Sequence, residues 1–485
     1  MEKLSRALTG LMLALFALTL ALALALAAQE SLSRHELIPA LLLGAGLCAG
    51  LLLLWRKRSC PTLLERWGRD KTALLLSLAF LLLNGAWLLY ARVIPAGDYG
   101  RFWEDAVSLS QTGRLEGLPA LYDALYPHIL GYASFLGLLL RLFGSSVSVA
   151  EWANLLLSLG VGLCLFYACE KRFGLNTGAR AFLLWTLCPS KLLYNALVLS
   201  EPLYTCLLLS FTLLLFSGMG EERPWVMGLL GALSGLLLRG MNMARPIAAV
   251  PIIALGIWIL FLRGKDLSKG RSWLRWGLFF LLLLAIYLPT GKLWDAHVQT
   301  VTGYEPAGVP GYNIYVGFNE DTRGRYFDED MVTFGNVLNG EAEGDPGLAQ
   351  QGMLRLAKER IRSLGGRLPR LLLSKWKVFL GDDQAAVIFT ESVLSPEAQR
   401  FLTLCCNTFY YGLLLLALAG AWNLWRMREQ GSVLTAPLYV LGLTLAQMLV
   451  EVAGRYHYSV IPMLVLLAAC AGGSASKAGE EHRKA

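Results

Sequence analysis

The stretch Ala96-Gly-Asp-Tyr-Gly-Arg-Phe-Trp-Glu-Asp-Ala106 follows a long apolar segment, Leu74 to Tyr90. It sets Asp98, Glu104 and Asp105 just beyond what reads as a membrane span. Acids at the lip of a span cost little to hydrate and can reach a substrate held at the interface. The surrounding chain supports the membrane reading. Of 485 residues, 55% are hydrophobic and 16% charged, with a mean hydropathy of +0.51, which argues against an ordinary soluble protein. The net charge of +8 then points to basic residues gathered in cytoplasmic loops, not to nucleic acid. The nine cysteines show no CxxC or Cys/His ligand spacing; nearly all sit in apolar runs and read as small packing residues.

Working outward toward the N-terminus, Lys3 and Arg6 precede an uncharged run from Ala7 to Gln29. That run can cross a bilayer core of ~30 Å and is expected to be an uncleaved span. Leu37 to Trp55 is the second span. Arg56, Lys57, Arg58, Arg66, Arg69 and Lys71 follow it against only Glu65 and Asp70, so this loop is expected in the cytoplasm. The third span, Thr72 to Ala91, therefore emerges outside and carries Asp98 with it.

Toward the C-terminus, Pro127 to Phe143 could cross the membrane, but it includes His128 and Arg141. If it crossed, the basic loops Glu170-Lys-Arg and Arg263-Gly-Lys-Asp-Leu-Ser-Lys-Gly-Arg271 would fall outside. Residues 93–148 are therefore expected to form one outer region of interfacial helices. The later spans follow by alternation: Val149–Cys169, Ala181–Val198, Leu203–Phe216, Trp225–Leu238, Ile247–Leu262 and Trp276–Thr290. After an outer region of about 291–400 come Leu402–Leu424, Val433–Leu449 and Tyr458–Ala471. The expectation is an all-α polytopic membrane protein with about 12 transmembrane helices, in the plasma membrane, with both termini cytoplasmic. Its parts would be two spans and a basic loop (1–71), a transmembrane module (72–290), the outer region (291–400), and the last spans with a cytoplasmic tail (401–485). In the outer region, 303–346 reads as loop and turn, and 347–380 as helix. No internal repeat is visible.

On this topology several polar residues converge on the outer side. Glu201 lies in Leu199-Ser-Glu-Pro-Leu-Tyr204, Arg239 and Arg245 flank Gly-Met-Asn-Met-Ala, and Arg455 and His457 lie in Ala-Gly-Arg-Tyr-His-Tyr458. Lys191 sits in the outer half of its span. Arginines at such a place suit a phosphate-bearing amphiphile, through charge-assisted bidentate hydrogen bonds. A carboxylate there could take a proton from an acceptor hydroxyl. Each position also has a structural reading. Asp98 could cap a helix, Glu104 and Asp105 could be solvated face charges, Glu201 could complement a helix dipole, and Lys191 could snorkel. The histidines could be hydrogen-bonded packing residues. The stretch Tyr312-Asn-Ile-Tyr-Val-Gly-Phe-Asn319 could touch a substrate through Asn319 or be a tight loop.

Gly97-Asp-Tyr-Gly-Arg-Phe-Trp-Glu-Asp-Ala resembles the first outer loop of GT-C-type glycosyltransferases. Tyr126-Pro-His-Ile-Leu-Gly-Tyr, Ser200-Glu-Pro-Leu-Tyr and Gly454-Arg-Tyr-His-Tyr-Ser-Val-Ile-Pro add to the likeness. The chain is most similar to the protein-O-mannosyltransferase and aminoarabinose-transferase branch, over roughly 72–290 and more loosely in the last two spans. The resemblance implies transfer of one sugar from a polyprenyl-phosphate carrier to a lipid, glycan or protein acceptor on the outer face, with inversion. It implies Asp98 as the catalytic acid-base residue and Glu201 as the second acidic position. Arg245, Arg239, Lys191 and Arg455 become candidates for the donor phosphate, and Tyr126, His128, His457 and Asn319 for substrate contacts. Family members often carry two adjacent acids at the first motif, whereas Tyr99 follows Asp98 here. A divalent metal ion is thus left open as a cofactor. Rival classes are a transporter or flippase, expected to show repeats and mid-membrane charges, and a polymerase or ligase of lipid-linked polysaccharides.

Overall fold

A polypeptide in a bilayer must satisfy its backbone polar groups internally, and runs rich in Leu and Ala do so as helices. The computed structural model describes residues 2–33, 37–56 and 61–472, and among these no strand occurs. Lys57 and Arg58 of the basic loop and the expected cytoplasmic tail 477–485 lie outside the described residues.

The first three helices are α1 (Glu2–Ser33), α2 (Leu37–Arg56) and α3 (Pro61–Tyr90). Three more follow before the next long helix: α4 (Asp98–Thr112), α5 (Gly117–Leu125) and α6 (Pro127–Phe143). Then come α7 (Val147–Phe173), α8 (Leu175–Thr186), α9 (Pro189–Tyr194), α10 (Glu201–Gly218), α11 (Pro224–Ala244), α12 (Ala249–Ile257) and α13 (Gly270–Thr302). Five shorter helices form the expected outer region: α14 (Gly311–Gly317), α15 (Asp328–Asn339), α16 (Pro346–Leu364), α17 (Leu368–Leu380) and α18 (Ala385–Ile388). The chain closes with α19 (Pro396–Arg426), α20 (Thr435–Leu449) and α21 (Val460–Ala469).

Among the described residues, nine helical segments are long and apolar enough to cross a membrane. Shorter apolar helices cover Ala249–Leu262 and Val460–Gly472, where two further spans are expected. The molecule is an all-α, multi-pass membrane protein. The expected span Ala181–Val198 is not one helix. Its first part belongs to α8, which ends at Thr186. Pro189 has no N–H with which to continue that ladder, so it opens the separate short helix α9. The helix that contains the expected span Trp276–Thr290 is longer than that span, because α13 runs on to Thr302. The stretch read as loop, 303–346, contains α14 and α15.

Close backbone approach shapes the bundle. Gly231 and Gly235 lie one turn apart on α11, facing the carbonyls of Phe279 and Leu283 on α13; a Cβ at either would overlap them. Small residues on one helix face permit this spacing in lipid. On the cavity side, α5 and α6 meet at a bend of 117°. Phe102 of α4 packs edge-on against Tyr132 of α6, with centroids 5.1 Å apart. Lys377 of α17 pairs with Glu30 at 2.9 Å, so the C-terminal end of α1 lies beside α17.

Candidate active site

Gly97, at φ 57, takes a backbone conformation that L side chains rarely adopt and turns the chain into α4. Gly97 is therefore the N-cap, and Asp98 is the first helical residue, without a capping hydrogen bond. Its carboxylate is 59% exposed and forms an ion pair with Arg455. Ser200 caps α10, and Pro202 sits at the second helical position, where its missing N–H costs nothing. That start points the buried Glu201 into the same space as Asp98. Arg245 ends α11 in extended backbone, with its guanidinium 4.0 Å from the centre of the Tyr456 ring.

These residues line one cavity of about 540 Å³. Asp98, Glu201, Arg245, Arg455, Tyr126 and His128 all face it. Three tyrosine hydroxyls on its wall, those of Tyr99, Tyr126 and Tyr312, have no hydrogen-bond partner among the described residues. These oxygens are sealed within the wall, so the polar groups that can meet a ligand in the cavity are its carboxylates and guanidiniums. A second cavity of about 920 Å³ lies alongside, lined by Arg239, Asn242, Trp294, Gln299 and Gln447. The two share a wall of Tyr126, His128, Arg245, Asn313, Glu451 and Tyr456. Arg239 donates to the Tyr287 carbonyl at 2.6 Å and stacks on that ring at 4.1 Å.

Other sequence candidates stand elsewhere. Glu104 is exposed on α4 and lines neither cavity. Asp105 is buried behind the wall, 2.8 Å from Arg101, and burial pushes its carboxyl above the usual range. Lys191 is wholly buried, bonds the Asn84 side chain at 2.6 Å and lies 4.4 Å over the Phe80 ring. Asn319 donates to Asp330 at 2.9 Å within the outer region. His457 sits beneath the site, between the Phe379 carbonyl (2.7 Å) and Asp383 (3.0 Å). Asp383 also accepts from Ser190 at 2.5 Å.

Sequence reading missed Glu451, Tyr456 and Asp382, all of which line the first cavity. Tyr456 donates to Glu451 at 3.1 Å, and burial pushes both this carboxyl and that of Asp382 upward. The segment bearing Glu451 is held by backbone bonds, Glu451 N to Asn313 O at 2.7 Å and Val452 N to Gly324 O at 2.9 Å. Lys375, fully buried, donates to the carbonyls of Gly317, Met448 and Val450 at 2.7–2.8 Å. The one available signal was Glu451 itself, an acid two residues beyond the apolar run ending at Leu449.

No protein-family model and no curated protein matches the chain. Among solved structures it is similar to ArnT from Cupriavidus metallidurans bound to undecaprenyl phosphate, with 14% identity, 80% of this chain and 77% of that one covered, and a TM-score of 0.37. It is also similar to the Archaeoglobus fulgidus oligosaccharyltransferase tethered with an acceptor peptide, with 10% identity and a TM-score of 0.46. That match covers 84% of this chain and spans half the length of the oligosaccharyltransferase.

Proposed function

We propose that this chain is a GT-C-type membrane glycosyltransferase acting at the extracytoplasmic face. It moves a single sugar from a polyprenyl-phosphate donor to a lipid, glycan or protein acceptor. One observation carries the reading: Asp98, Glu201, Arg245 and Arg455, from four distant segments, meet in one cavity. Carboxylates and guanidiniums together suit a sugar phosphate. A transporter would place such charges at mid-membrane.

In the mechanism that follows, the donor phosphate draws Arg455 away from Asp98, and Arg245 supplies a second guanidinium. The freed Asp98 carboxylate takes the proton of the acceptor hydroxyl. The acceptor oxygen bonds to the anomeric carbon from the face opposite the phosphate. The anomeric carbon–oxygen bond breaks, and the electron pair leaves with polyprenyl phosphate, whose charge the two arginines balance. The configuration inverts. The neighbouring cavity, with Arg239 and Asn242 at the ends of apolar helices, is the approach for the lipid-borne donor.

Among the described residues no group of three His, Cys, Asp or Glu side chains is placed to hold a metal ion. Asp98 is already matched by Arg455, and Glu451 accepts from Tyr456. This donor set does not fit a divalent cation, and no step is routed through one.

The test is donor consumption by the purified protein in lipid nanodiscs, using labelled polyprenyl-phosphate sugars and a crude membrane acceptor extract. Consumption that Asp98→Asn abolishes, with folding intact, supports the reading. Consumption that persists in Asp98→Asn removes Asp98 as the base. If no labelled donor is bound or consumed across the panel, the reading fails.

A further inference from the structure

A third cavity, of about 380 Å³, lies at the other end of the bundle. Its lining is Arg6 and Thr9 from α1, Trp425 and Arg426 from α19, and Arg428, Glu429 and Gln430 from the turn after α19. Its distance from the active site follows from helix geometry. Glu30 of α1 pairs with Lys377 of α17, and Arg6 lies 24 residues earlier on the same helix. At 1.5 Å per residue that is ~36 Å, the thickness of a bilayer core and part of its headgroup region.

The charges here are not balanced. Arg6 pairs with Glu2. The Glu429 carboxylate is taken by Arg172 at 2.6 and 2.9 Å. Arg426 and Arg428 are exposed and have no acidic partner among the described residues. The turn that presents Arg428 is rigid. Its neighbours Gln430 and Gly431 donate to Glu429, and the Trp258 indole donates to the Gln430 carbonyl. Arg428 itself sits at φ 54, in the left-handed region where glycine would be the unstrained choice. The Gln430 amide nitrogen is buried without a partner. Beside the cavity, Trp422 and Trp425 are exposed and pack against each other at 4.9 Å, as indoles do at headgroup level.

We propose that this cavity binds the phosphate of an anionic phospholipid in the leaflet opposite the active site, through Arg426 and Arg428. The strained turn holds a fixed cation where two unpaired guanidiniums face lipid. The indoles of Trp422 and Trp425 flank the glycerol region, and the acyl chains lie along the apolar flank of α19. The site holds a lipid without any part in transfer chemistry.

The test is native mass spectrometry of the full chain released from mixed phosphatidylglycerol/phosphatidylcholine micelles. The wild type retains phosphatidylglycerol in preference to phosphatidylcholine. Single Arg426→Gln and Arg428→Gln variants lose roughly 5-fold in that preference, and the double variant about 30-fold. Arg426→Lys/Arg428→Lys keeps most of it, which separates charge from folding. Equal retention of both lipids by the wild type overturns the proposal. So does an unchanged preference in a folded double glutamine variant. Inorganic phosphate that binds in millimolar amounts with no lipid preference overturns the lipid assignment.

Discussion

Arg455 and Asp98, 357 residues apart in the chain, form an ion pair on the wall of the 540 Å³ cavity. The pair joins the start of α4 to the loop between α20 and α21. Asp98 is more than half exposed, so the pair contributes at most about 1 kcal/mol to stability. On the proposed function its value lies in transfer. Asp98→Asn and Arg455→Ala should each keep the wild-type unfolding midpoint while Asp98→Asn lowers transfer by about 10²–10⁴-fold. Single-turnover transfer alongside thermal unfolding in detergent checks this. A large fall in stability with modest loss of transfer would make the pair structural.

Arg245 and Lys191 are both candidates for the donor phosphate in the sequence, and the structure separates them. Arg245 lines both cavities, whereas Lys191 is sealed against Asn84 and Phe80. Arg245→Ala should weaken binding of a polyprenyl-phosphate sugar by about 10- to 100-fold. Lys191→Met should leave that affinity within about 2-fold. Equilibrium binding to nanodisc-embedded protein distinguishes the two, and equal losses would return Lys191 to the site.

Lys375 binds three carbonyls from two helix ends and the segment that carries Glu451. Its removal strands three buried acceptors. Lys375→Met should cost about 2–4 kcal/mol, read from the midpoint of denaturant unfolding. Donor affinity should fall as well, because the Glu451 wall loses its anchor. Unchanged stability would show that other groups or water satisfy those carbonyls.

His457 should make stability depend on pH. Both ring nitrogens face acceptors, the Phe379 carbonyl and the Asp383 carboxylate, so the imidazolium is the form that fits. Burial alone would lower its pKa; the contacts to Asp383 and Phe379 more than offset this and hold it above 6.5. The folded value is raised above the unfolded one. The stabilisation is therefore complete below pH 6.5 and is lost as pH rises through the raised value. Wild-type unfolding temperature should fall from pH 6 toward alkaline values. In Asp383→Asn the curve should be lower and flatter. Parallel curves for the two proteins would contradict the assignment.

The membrane class and most of the apolar helices were legible because a bilayer demands long uncharged helical runs, and Ala7–Gln29 and Leu402–Leu424 state that directly. Asp98, Glu201, Arg245 and Arg455 were legible for the same reason, as charges at the lips of such runs. Glu451, Tyr456 and the unpartnered tyrosine hydroxyls were less so. Their placement depends on the outer region closing over the bundle through Lys375 and the backbone bonds of Glu451 and Val452. The break at Pro189 was visible as a proline, but hydropathy alone carried the expected span straight through it.

The shared wall between the two large cavities has a consequence for how the protein can be altered. Six residues, with Tyr126, Arg245 and Glu451 among them, line both chambers. Trp294 and Gln299 line one alone, and Arg325 and Asp382 line the other alone. Each chamber thus has positions that its neighbour does not touch. On the proposed function, substitutions confined to one set would report on one reactant, and substitutions in the partition on both.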